Sequence, residues 1–261
     1  MFIPLHDANT LKHIKLQWVT MGLIAVNIVV WLFTGVIATE SVAQAAFVGL
    51  GYIPAVAFHY AHLEPALAIT PEPLTYVSYA FVHSGFWHLA SNMLFLWVFG
   101  DNVEDAMGHL RFLAFYLLCA ISGALVHGLI GMTSQAPLIG ASGAISGVVA
   151  AYLMLHPRVK VWVLVFMRVP LPLPAFVPLI LWTGQQFVML ALEPDGNVSW
   201  GAHVGGIIAG ALLVLVMRRR GVPLFDSKVV TPKAVRDRPT PNPAMITVPG
   251  QPPRPRLPWD K

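Results

Sequence analysis

Residues 200–220 read Trp-Gly-Ala-His-Val-Gly-Gly-Ile-Ile-Ala-Gly-Ala-Leu-Leu-Val-Leu-Val-Met-Arg-Arg-Arg. The stretch Trp200–Met217 is apolar apart from His203 and stops at three arginines. It is close to the ~20 apolar residues that cross ~30 Å of hydrocarbon. Its cationic end suits the anionic face of a bilayer. Working outward, five more apolar stretches appear: Gln17–Ala38, Phe86–Gly100, Leu110–Gly131, Ser142–His156 and Pro174–Leu192. The second and fourth are short for a span, and Pro170, Pro172 and Pro174 delay the start of the fifth. Composition agrees. The chain is 56% hydrophobic and 11% charged, whereas a soluble domain carries about 25% charged residues.

Charge placement fixes the expected topology. All sixteen Lys and Arg residues fall in the N-terminal segment (Lys12, Lys15), the second loop (Arg111), the fourth loop (Arg158, Lys160, Arg168) or after the sixth stretch. The loops Thr39–Pro73, Met132–Ala141 and Glu193–Ser199 have none. The positive-inside rule then puts both termini in the cytoplasm. The expected fold is all-α, a polytopic six-span bundle over 17–220, after a polar cytoplasmic segment 1–16 that reads neither as a transit peptide nor as a cleaved signal. The proline-rich 221–261 reads as a disordered cytoplasmic tail; Pro252-Pro253-Arg254-Pro255 reads more simply as solvated than as a partner motif. This topogenic use of the positive charge excludes nucleic acid as its partner. The single cysteine, Cys119, rules out a disulfide framework or cysteine-based zinc site.

Polar groups inside spans need a reason. The second stretch holds His88 and Asn92 on one helix face. The fourth opens Gly140-Ala141-Ser142-Gly143, and the sixth has Ala202-His203-Val204-Gly205-Gly206. With the cytoplasmic ends of the spans taken at Asn102, His156 and Met217, each of His88, Ser142 and His203 lies 14 residues from its end, or about 21 Å. They therefore share a plane roughly 10 Å below the outer face of the core. Gly143-x-x-x-Gly147 and Gly206-x-x-x-Gly210 also suit plain helix packing, and each motif alone is weak. Together they suit nucleophilic catalysis: a serine needs a neighbouring base, and an oxyanion needs donors. With no carboxylate at this depth, a dyad is implied.

This set, in this order, resembles the signature of rhomboid intramembrane serine proteases over roughly Gln17–Arg220. The resemblance implies Ser142 as nucleophile, His203 as general base, and His88 and Asn92 in the oxyanion hole. It also implies support from His83, Gly140, Gly143, Gly205 and Gly206, and a structural turn at Gly100–Glu104. Lateral substrate entry would lie near spans two and five, with Phe86 and Trp182 as gate residues and Glu193–Ser199 as a cap. In some relatives an aromatic one turn after the serine packs on the catalytic histidine; here Ser146 stands there, leaving open what steadies His203. The Trp-Arg pair of some first loops is absent from Thr39–Pro73.

The expected partners are transmembrane protein substrates and the lipid bilayer, with no cofactor and no metal. His59 and His62 lack an evident third ligand and read as wet loop surface; Tyr60 and Trp200 suit interfacial anchoring. Two rivals remain at this stage. A catalytically silent relative that binds clients for quality control characteristically loses the serine or the histidine. A six-span transporter would show an inverted repeat or an intramembrane carboxylate. No His-Glu-x-x-His occurs, which disfavours a metalloprotease. The bare six-span form fits a bacterial inner membrane most simply, with a mitochondrial membrane as the alternative.

Overall fold

The computed structural model describes residues 2–226, apart from 166–167, 194–195 and 197. The chain opens with strand β1 (Phe2–Asp7) and helix α1 (Trp18–Trp31), which runs on as a π-helical turn, Leu32–Ile37. The first long loop carries α2 (Glu40–Leu50), α3 (Pro54–Ala57) and α4 (Glu72–Ser78). Then come α5 (Phe86–Met107), α6 (His109–Ile130) and α7 (Ser142–Leu155). Strands β2 (Lys160–Val165) and β3 (Val169–Pro174) lead to α8 (Phe176–Leu192) and α9 (Trp200–Met217). Trp18–Ile37, α6 and α9 are long and apolar enough to cross a membrane. Helix α5 is 22 residues long but carries Asp101, Glu104 and Asp105 in its last turns; α7 and α8 are apolar helices of 14 and 17 residues.

Small residues hold the centre together. Helix α9 packs on both α6 and α7. A methyl added at Gly206 would collide with the Gly143 carbonyl oxygen, and one at Gly210 would stand 2.5 Å from the Gly147 Cα. The α7 and α9 backbones thus touch through the two small-residue stripes, the close approach such stripes allow between membrane helices. On the α6 side, the Ser122 hydroxyl donates to the Gly205 carbonyl (2.9 Å). Around this centre the buried aromatics Phe99, Phe112, Phe115, Tyr116 and Tyr152 fill the bundle.

The expectation of an all-α chain needs correction. β1, β2 and β3 form a three-stranded antiparallel sheet at the arginine-bearing end of the bundle. Lys160–Val165 supplies β-branched residues on alternate positions, with Val161 and Val163 buried. Pro170, Pro172 and Pro174 do delay α8, but within the edge strand β3, where missing donors are tolerated. Part of the polar N-terminal segment 1–16 is therefore the first strand. The proposed tail from 227 onward lies outside the described residues. Before it, Phe225 N–H donates to the Met154 carbonyl (2.6 Å), holding residues 222–226 against α7.

A second correction concerns Gly100–Glu104. It is not a turn: the helix continues through it to Met107, and the break falls at Gly108, whose φ is +86°. The polar side chains there remain helical because each finds a distant partner. The Glu104 carboxylate accepts from the Val19 and Thr20 N–H groups (3.0 and 2.8 Å), the Thr20 hydroxyl (2.7 Å) and His109. It so caps the start of α1, which has no cap of its own. Asp105 accepts from the Lys12, His13 and Ile14 N–H groups. Asn102 and the Tyr152 hydroxyl donate to Asp7 (2.9 and 2.7 Å), tying β1 to α5 and α7. Burial, with Asp101 nearby, pushes the Asp7 carboxyl up to about 7.

Candidate active site

The loop into α7 sets the serine. Gly140 has φ +112°, open to glycine at little cost, and its N–H donates to the Tyr79 carbonyl (2.9 Å). The Ala141 N–H donates to His83 Nε2 (3.4 Å), so this buried imidazole props the loop from below. Ser142 is then the first helical residue. Its N–H is one of the donors that an α-helix leaves without an internal partner, at the positive end of the dipole.

Ser142, His203, His88 and Asn92 line one cavity of about 990 Å³. His88 lies over the loop: a Cβ at Gly140 would stand 2.5 Å from its Nε2. Its Nδ1 pairs with the Ser84 hydroxyl (3.1 Å), and its ring meets the edge of His83 at 4.9 Å. Asn92 donates one amide N–H back to the His88 carbonyl (3.0 Å); the second N–H of that amide is a further donor. Gly143, Gly205 and Gly206 are the contact points of α6, α7 and α9 described above.

His203 is 8% exposed and held from three sides. Its Nδ1 is 2.8 Å from Gln186 Oε1 on α8. Trp182 lies beside the ring at 6.2 Å and 30°, and Trp200 meets it edge-on at 6.0 Å and 87°. Ser146 plays no such part, because its hydroxyl donates to the Ser142 carbonyl (2.7 Å). Gln186 escaped the sequence reading although its signal was present: a glutamine one turn after Trp182, inside an apolar stretch, needs a partner. Trp200, expected as an interfacial anchor, also lines the cavity.

The cavity extends between α5 and α8 from Trp200 down to Val163, Val165 and Leu173 of the hairpin. Helix α8 packs on α9, α7 and β3. It reaches toward α5 through Trp182 and Phe95, whose rings are 5.9 Å apart. Phe86 is placed elsewhere: 55% exposed, it packs on Trp31 and Trp87 and does not line the cavity. The loop Glu193–Ser199 lies partly outside the described residues; Val198 and Ser199 border the cavity. His59 and His62 are exposed in the first loop.

Comparison with known proteins places this architecture. Residues 70–220 match the Rhomboid domain. The chain is 34% identical over 143 residues to the mitochondrial rhomboid protein 1 of Saccharomyces cerevisiae, covering 53% of this chain and 40% of that protein. It is 35% identical over 136 residues to the rhomboid protease GluP of Bacillus subtilis, covering 51% and 25%. With the mitochondrial RHOMBOID-like protein 12 of Arabidopsis thaliana it shares 29% identity over 154 residues, covering 53% and 44%. The matches span less than half the length of each of these relatives. With the domain matched across more than half of its length, the chain belongs to the rhomboid family and is a multi-pass helical membrane protein.

Proposed function

We propose that this protein is an intramembrane serine endopeptidase that hydrolyses peptide bonds in or beside the transmembrane helices of other membrane proteins. One observation carries the reading: Ser142 and His203, from helices in backbone contact, line one cavity together with His88 and Asn92. In this reading His203 takes the Ser142 proton as the hydroxyl oxygen attacks the carbonyl carbon. The oxyanion meets the Ser142 N–H, the free Asn92 amide N–H and His88 Nε2. In this reading the Ser84 hydroxyl, 3.1 Å from Nδ1, donates to it, and His88 carries its proton at Nε2. His203 then gives its proton to the leaving amine, and water, activated by the same base, hydrolyses the acyl-enzyme.

The remaining parts follow from the same reading. Six spans are assigned to Trp18–Ile37, α5, α6, α7, α8 and α9, with both termini cytoplasmic by the positive-inside rule. Substrates enter sideways between α5 and α8, where the rings of Phe95 and Trp182 lie 5.9 Å apart. A helical substrate has its carbonyls engaged internally, so it must unwind locally before attack. A bacterial inner membrane is the assigned location.

The test is cleavage of a reporter transmembrane substrate by purified protein in detergent, beside Ser142→Ala and His203→Ala. Loss of cleavage in both variants, with thermal unfolding unchanged, is the expected result. Cleavage that survives Ser142→Ala contradicts the proposal. A folded wild type that binds several membrane substrates without cutting any points to a silent client-binding relative.

A further inference from the structure

Gln186 deserves a role of its own in this site. It is 2% exposed, yet it sits in the middle of α8, whose other face is apolar and exposed at Ile180, Leu181, Phe187 and Val188. A buried amide is costly unless both its ends are bonded. Here both are: Nε2 donates to the Trp182 carbonyl (2.8 Å), and Oε1 faces His203 Nδ1 (2.8 Å). The first bond fixes the second. With its nitrogen committed to a carbonyl, the amide can present only an acceptor to the imidazole. The His203 Nδ1 must then carry the proton, and Nε2 keeps its lone pair.

We propose that Gln186 is the positioning residue for His203, fixing the tautomer in which Nε2 is the free base, in the cavity that Ser142 also lines; this deepens the serine-protease reading above and rests on it. Among the described residues no other side chain hydrogen-bonds the His203 ring. Trp182 and Trp200 bound the plane of the ring but offer its nitrogens no hydrogen bond. Ser146 is turned to the Ser142 carbonyl. A base with the wrong nitrogen protonated cannot accept the serine proton, which is the role a third group plays in a catalytic triad. Here a neutral amide on a neighbouring helix fills that role. Since Gln186 rides on α8, the ring is set only while α8 is seated against α9.

Two measurements test this. In the first, Gln186→Met, which keeps the shape and removes the acceptor, is compared with Gln186→Glu, which retains an acceptor oxygen whether ionised or not. Losing one buried hydrogen bond to the base corresponds to a fall in kcat of about 10- to 100-fold. Expected are that fall for Gln186→Met at nearly unchanged KM, and rescue to within about threefold by Gln186→Glu. Equal loss in both variants, or no loss in Gln186→Met, overturns the proposal. The second measurement is the nitrogen NMR spectrum of the imidazoles in wild type, with His203 assigned through His203→Ala. A neutral ring protonated at Nδ1 is expected; one protonated at Nε2 overturns the proposal. This spectrum needs no substrate, so it separates failure of the positioning role from failure of the protease reading.

Discussion

Replacing Gly206 by alanine adds one methyl group where α9 meets α7, and the structure sets the size of its effect. The methyl would be driven into the Gly143 carbonyl oxygen. The next glycine along shows the same tightness: a Cβ at Gly210 would stand 2.5 Å from the Gly147 Cα and 2.7 Å from its carbonyl carbon. Heavy atoms rest at about 3.5–4.0 Å, so the helices must part by roughly 1 Å. Both walls are backbone, and no side chain can turn aside. Overpacking of this kind costs about 1–3 kcal/mol. The same displacement moves Ser142 and His203 apart, and a misplacement of about 1 Å costs on the order of 100-fold in rate. The assay pairs thermal unfolding in detergent with cleavage of the reporter. Gly184→Ala on α8 is the control, because nothing lies within 4 Å of a Cβ there; it should leave both readouts near wild type. A Gly206→Ala variant as stable and as active as Gly184→Ala would refute the packing explanation.

Two further outcomes are expected at the arginine-bearing end. The Asp7 carboxyl is raised from 3.8 to about 7, so the folded state holds its proton more tightly than the unfolded chain. The associated stability, on the order of 4 kcal/mol, is complete below about pH 4 and is lost as the pH rises toward 7. Protection factors in residues 2–7, which divide out the intrinsic rise of amide exchange with pH, should therefore fall from pH 5 to pH 8, and Asp7→Asn should flatten that trend; protection that grows toward pH 8 would contradict it. Glu104→Ala removes the acceptor shared by Val19, Thr20 and His109 and should destabilise by about 3 kcal/mol. Thr20→Ala should cost about 1 kcal/mol. Denaturant unfolding reads both, and a Glu104→Ala cost below that of Thr20→Ala would refute the capping role.

Much of the site was legible because a membrane makes polar residues conspicuous. Ser142, His203, His88 and Asn92 each interrupt an apolar stretch, and one cavity holds all four. Gly143-x-x-x-Gly147 and Gly206-x-x-x-Gly210 are contact stripes, a reading the sequence offered beside the catalytic one. The sheet was hidden for a physical reason. Phe2–Asp7 and Val169–Pro174 are short and proline-bearing, and they become strands only by pairing with Lys160–Val165. The pairing of β1 with β2 spans more than 150 residues and leaves no local periodicity to read, and the prolines of β3 hide the hairpin it makes with β2. The turn expected at Gly100–Glu104 rested on the resemblance alone, and the partners that keep these residues helical lie in the first 20 residues and beyond Gly108. Phe95 went unnoticed as one aromatic among many in its stretch, and only the fold turns it toward Trp182.

The central claim is that His203 activates Ser142, and mapping the adduct of a fluorophosphonate probe tests it most directly. The probe is small, reacts with activated serine hydroxyls and needs no membrane substrate. Expected is a single phosphonylated residue, Ser142, found by peptide mass spectrometry in wild type and lost or greatly slowed in folded His203→Ala. An adduct on another residue, or Ser142 labelling at an unchanged rate without His203, would contradict the account.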